Sequence, residues 1–95
     1  MHNPPHPDDF IRATYMEPNR LSCRFMAAQL DVAPSTLNRI LTKQSSVSPE
    51  MALRLSKALG RTPESWLVMQ NAYGLWQARL KVKLDQVHSI RVDVA

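Results

Sequence analysis

Apolar residues recur at three- and four-residue spacings through most of the chain, a period that predicts successive amphipathic helices. The first opens at Pro7, suited to a first helical turn, with Asp8 and Asp9 where the helix dipole favours negative charge. Phe10, Ile11, Thr14 and Tyr15 form its inward face, and Pro18 is its expected stop. Ser22 is a plausible N-cap for a second helix, "CRFMAAQL", in which Met26, Ala27 and Leu30 share a side and which Asp31 breaks. Pro34 starts a third, with Leu37, Ile40 and Leu41 inside and Ser35, Thr36, Asn38, Arg39 and Lys43 outside.

Two further starts carry the same grammar. "SPE" at Ser48 to Glu50 combines a cap, a first-turn proline and an acid, and the helix it opens has a stripe of Met51, Ala52, Leu55 and Leu59 before Gly60. "TPES" at Thr62 to Ser65 opens a long fifth helix that is apolar over much of its circumference, through Trp66, Leu67, Met69, Tyr73, Leu75, Trp76 and Leu80. Gly74 weakens it locally by roughly 1 kcal/mol relative to alanine. Beyond it the period changes. Ile90, Val92 and Val94 alternate with Arg91 and Asp93, the pattern of one strand with no second strand in the chain to pair with. Pairing with another molecule and an irregular tail are both open.

The fold class is therefore all-α. Residues 1–6, with two consecutive prolines, are expected to be a flexible segment, 7–84 a single domain and 85–95 a tail. The single cysteine, Cys23, allows no internal disulfide, and no charged-then-apolar leader opens the chain, so the expected compartment is the cytoplasm. No apolar run is long enough to span a bilayer, so no membrane partner is expected.

Charge adds a direction. The net charge is +4 and the pI about 9.7. Between residues 20 and 61, seven basic residues (Arg20, Arg24, Arg39, Lys43, Arg54, Lys57, Arg61) stand against Asp31 and Glu50, so the excess lies in the middle of the chain. That points to an anionic partner. Catalysis is disfavoured. His2, His6 and His88 have no metal-ligand spacing and are expected to be solvated, and Cys23 has no histidine or acid beside it. With two glycines there is no phosphate-cradling loop, so neither enzyme activity, nor a metal, nor a cofactor is expected.

The second and third helices fit a helix-turn-helix: Ala27 is the small residue at the helix crossing, Asp31 and Val32 the turn, and Leu37 and Ile40 the clamp. With those inside, Pro34, Ser35 and Thr36 project outward, followed by Asn38 and Arg39, the positions that enter a major groove. Arginine can bind guanine in bidentate fashion, asparagine can pair with adenine, and hydroxyls serve bases or phosphates. Phe25 faces away from Met26 and Leu30; it can pack under the first helix, the favoured role, or serve a partner contact.

On these residues the chain resembles a known family. From about residue 5 to 79, and most distinctively in "NPPHPDDFI", "SPEMALRLSKALG" and "PESWLVMQNAYGLWQA", it is similar to the HigA-type antitoxins, phage-repressor-like helix-turn-helix proteins of bacterial toxin-antitoxin modules. The resemblance implies a five-helix lambda-repressor-like domain. It implies the antitoxin of a type II module, which binds its own operator as a dimer and neutralises a HigB-type messenger-RNA endonuclease. Carried over by position, Ser35, Thr36, Asn38 and Arg39 belong to the recognition helix, and Arg24 and Lys43 are expected phosphate contacts.

Two departures stand out. Asp31 occupies a turn position often held by glycine, tolerable because aspartate can adopt a left-handed conformation. Ala33 replaces the usual capping serine or threonine, which leaves Pro34 to start the helix. The expected dimer element is the fifth helix, through Trp66, Tyr73, Trp76 and Leu80, assisted by Ile90 and Val92. The rival reading is a protein-interaction module that binds a partner without a DNA role.

Overall fold

The computed structural model describes residues 4–92. Five helices follow in chain order. The first, α1, is continuous but changes pitch: α-helical over Pro7–Ile11, π-helical over Arg12–Met16 and α-helical again over Glu17–Asn19. The others are α2 (Cys23–Leu30), α3 (Pro34–Leu41), α4 (Pro49–Leu59) and α5 (Pro63–Lys81). Ser22, Ser48 and Thr62 each accept the expected N-cap hydrogen bond, from the amides of Phe25, Met51 and Ser65, all at 3.1 Å. Gly60 closes α4 at φ 94°.

Proline shapes α1 without ending it at once. Pro18 has no N–H for the carbonyl four residues back and its ring crowds that carbonyl; the widened π turn before it accommodates both. Arg20, in the left-handed conformation at φ 53°, then terminates the helix. The wider turn also rotates the face. Thr14, placed inward by a regular 3.6-residue period, is exposed, and Met16 is buried in its stead.

One core unites the helices: Ile11 and Met16 of α1, Met26, Ala27 and Leu30 of α2, Leu37, Ile40 and Leu41 of α3, Met51, Ala52 and Leu55 of α4, and Trp66 of α5, with Val47 from the connecting loop. The Gln70 side-chain carbonyl accepts from the Val47 amide at 2.9 Å, pinning that loop to α5. Past Gln70, α5 buries no residue completely. From residue 82 to 92 no helix or strand forms, and one turn joins the Val87 amide to the Leu84 carbonyl at 2.9 Å. Asp93 and Val94 of the alternating segment lie outside the described residues.

The N-terminal segment corrects one expectation. His6 is 3 % exposed, not solvated. Its Nδ1 accepts from the Asp8 amide at 2.9 Å, making it the N-cap of α1, and its ring meets Tyr73 of α5 edge-on at 4.6 Å. Folding thus begins before the boundary expected at residue 6, because the cap and the aromatic contact both come from His6. Burial pushes its pKa below the ordinary histidine value. Accordingly Nδ1 serves as an acceptor, which requires the neutral ring.

Candidate nucleic-acid interface

Why α3 stands where it does follows from both of its ends. Asp31 adopts the left-handed conformation at φ 57°, which reverses the chain after α2, and the Val32 amide donates to Ala27 O at 3.0 Å. Ala33 is the N-cap of α3 and supplies no side-chain hydrogen bond, so within the helix itself Pro34 sets the start. Leu37, Ile40 and Leu41 are buried, and that anchoring leaves Pro34, Ser35, Thr36, Asn38 and Arg39 exposed along one side. The Cys23 thiol donates to Pro34 O at 3.8 Å, so the first turn of α2 abuts the first turn of α3, with exposed Arg24 next to it. Among the described residues, the side chains of Arg24, Ser35, Asn38 and Arg39 make no hydrogen bond or ion pair, and their donors are free to meet a ligand; the Thr42 hydroxyl bonds only the Asn38 and Arg39 carbonyls.

Lys43 does not join this group. It follows the helix at φ 62°, its ammonium 3.6 Å from an Asp9 carboxylate oxygen and 6.0 Å above the centre of the Tyr73 ring. Its charge is directed toward α1 and α5, at the opposite end of α3 from Ser35 and Thr36.

Two arginines that sequence reasoning passed over hold the motif. Arg54 of α4 donates from Nη1 to the carbonyls of Leu30 (2.9 Å) and Asp31 (3.0 Å), at the end of α2, while its Nη2 meets Glu50 at 3.0 Å. Arg12 of α1 donates from Nη2 to Leu41 O at 3.0 Å, at the end of α3, and its Nε meets Asp8 at 2.7 Å. The local signal was available: an acid four residues before each arginine forms a pair on one helix face. The long-range half of each contact was not.

The remaining candidates divide. Trp66, expected at a dimer interface, is 0 % exposed, its ring 5.8 Å from that of Phe10. It is a core residue, because the first turns of α5 pack on α1 and α4. Tyr73 and Trp76 are half-buried, 5.8 Å apart, whereas Leu80 (66 %), Ile90 (84 %) and Val92 (68 %) are open to solvent. Phe25, expected to pack under α1, is instead 50 % exposed, beside a groove of about 680 Å³ between α2 and α4. Its place on the outer side of α2 is set by Met26 and Leu30 turning inward. No group of three or more His, Cys, Asp or Glu among the described residues is arranged to hold a metal. No helix there is long and apolar enough to cross a membrane.

Known proteins resemble the chain in sequence and in fold. The helix-turn-helix family profile matches residues 14–67. The HTH-type transcriptional regulator YddM of Escherichia coli K12 is 38 % identical over 90 residues, covering 95 % of each chain. Antitoxin HigA-1 of Vibrio cholerae is 30 % identical over 71 residues, 75 % of this chain and 67 % of that one. The solved structure of the antitoxin GraA superposes with a TM-score of 0.85 at 35 % identity, over 97 % of this chain and 99 % of GraA. GraA in complex with its operator gives 0.82 at 37 %, over 100 % and 95 %. The chain belongs to the helix-turn-helix family, within its HigA-type antitoxin branch.

Proposed function

We propose that this protein is the antitoxin of a type II toxin-antitoxin module, neutralising a HigB-type messenger-RNA endonuclease and repressing its own operon by sequence-specific DNA binding in the cytoplasm. The observation that carries the DNA half is the unpaired polar side of α3, held outward by Leu37, Ile40 and Leu41. Arg39 and Asn38 are the base-reading residues, matched in donor pattern to guanine and adenine. Pro34, Ser35 and Thr36 bring the first turn against the groove, and Arg24 meets the phosphate backbone. Lys43 reaches a phosphate only by leaving Asp9, so its share is smaller than Arg24's. Relatedness to GraA, whose structure is known with its operator, supports this assignment. The toxin half rests on the antitoxin relatives.

A homodimer fits the same reading. The working domain spans residues 7–84 with His6 attached, and two copies read half-sites about one helical turn apart. Leu80 and the apolar tail residues Ile90 and Val92, with Tyr73 and Trp76, form the surface each copy offers the other. The decisive experiment is a titration of the operon's own promoter with Arg39→Ala. A loss of about 1 to 3 kcal/mol confined to particular base pairs is expected. Unchanged affinity would leave the chain a protein-interaction module without a DNA role.

A further inference from the structure

α1 and α4 open with the same construction. Pro7-Asp8 and Pro49-Glu50 each put a proline and an acid in the first turn, and four residues after the acid stands an arginine, Arg12 or Arg54. In both copies the acid holds one part of the guanidinium. In both, another N–H points off its own helix to the carboxyl end of a helix of the helix-turn-helix: Arg54 to Leu30 and Asp31, Arg12 to Leu41. α5 has the matching Pro63-Glu64, but Val68 stands at the arginine position and is exposed. The device is present where a helix end needs bracing and missing where none does.

We propose that Arg12 and Arg54 are positioning residues for DNA recognition, fixing the angle and height of α3 without themselves touching DNA. The turns after α2 and α3 satisfy the carbonyls of Ala27 and Ala28 and of Asn38, Arg39 and Ile40, and the arginines supply donors to Leu30, Asp31 and Leu41, where the negative end of the dipole favours a cation. α3 has no side-chain cap at its start, so Arg54 on the turn before it and Arg12 on its last turn are the charged contacts that bracket it, beside the weak Cys23 thiol contact at Pro34 O and the local Thr42 hydroxyl at Asn38 O. A planar guanidinium serves a carboxylate and carbonyls at once, which a single ammonium cannot do in the same geometry. Preorganisation then lowers the ordering cost of docking α3 in the groove.

The inference rests on the operator-binding reading above, and its test separates the two. The operator is titrated across a salt series with the wild type, Arg54→Lys and Arg12→Lys, alongside DNA of unrelated sequence, at a temperature where circular dichroism shows each variant folded. Arg54→Lys is expected to weaken operator binding about tenfold or more while leaving binding to unrelated DNA and the salt dependence as in the wild type. In Arg54→Gln, which removes the charge, a drop of about one in the slope of log affinity against log salt would mark a direct phosphate contact and overturn the assignment, as would unchanged operator affinity in a folded Arg54→Lys. Glu50→Gln, which keeps the arginine but loosens its orientation, serves if the lysine variant does not fold, and a smaller loss of the same kind is expected. Glu64→Gln, at the matching position of α5, leaves operator affinity unchanged. A wild type that ignores the operator would defeat the functional reading itself.

Discussion

The two ends of the molecule treat apolar side chains in opposite ways. From α1 to the first turns of α5, most are withdrawn: Ile11, Leu37, Leu55 and Trp66 are fully buried around one centre, and Phe25, Leu53 and Val68 are the exposed exceptions. From Leu75 onward they are displayed, at Leu75, Leu80, Val82, Leu84, Val87, Ile90 and Val92. Leucine does not separate these regions, since it is common in both. What separates them is whether neighbouring helices lie on every side. α5 packs on α4 and α1 near its start, then runs past them. Its distal half completes no core of its own, and a contiguous exposed apolar surface on a small protein marks a place for a partner.

Substitutions on either side of this divide should have separable effects. The largest is expected inside. Trp66→Ala empties the centre and costs about 3 to 5 kcal/mol of folding stability, read as a lower denaturant midpoint. If Trp66 instead mattered mainly between copies, the loss would depend on protein concentration, and it should not. Next comes the displayed surface. Leu80→Asp with Leu84→Asp should raise the dissociation constant of the proposed dimer on the order of ten- to a hundredfold by analytical ultracentrifugation, with the melting of the monomer little altered.

A smaller effect belongs to the seam where the N-terminus meets α5. His6 caps α1 through an unprotonated Nδ1 and lies against Tyr73, with Asp8 and Asp9 on its own helix and Lys43 across from it. Its pKa is lowered in the fold by burial, so the unfolded chain binds the proton first. The contribution is complete above the unfolded value of 6.5 and is lost as pH falls toward the folded pKa, at a slope below about 1.4 kcal/mol per pH unit. His6→Asn keeps a capping side chain that does not titrate. The difference in stability between the two proteins should therefore change between pH 7.5 and pH 5.5, and a constant difference would show that the His6 proton is not linked to folding. The smallest effect is at α3. Ala33→Ser supplies the absent cap and should add about 1 kcal/mol of stability, detectable as a modest rise in melting temperature.

Much of this was legible beforehand. The starts of α2, α4 and α5, the left-handed Asp31, the uncapped Ala33 and the inner faces of α2, α3 and α4 all depend on residues within a turn of one another. The exposed polar side of α3 was legible for the same reason, since burying Leu37, Ile40 and Leu41 leaves only one side for Ser35, Asn38 and Arg39. Where the period itself changed, the reading failed: the π turn before Pro18 exchanged Thr14 for Met16.

Caps, prolines and apolar period act over three or four residues, so they set which segments become helices and which side of each turns inward. Packing of the helices against one another makes Trp66 core and not interface, sets Lys43 against Asp9 and Tyr73, buries His6, and brings Arg12 and Arg54 to the ends of α3 and α2. Those last contacts join residues 29 and 24 positions apart. Such pairs form only once the helices have packed, and no local preference in either partner encodes where the other will stand.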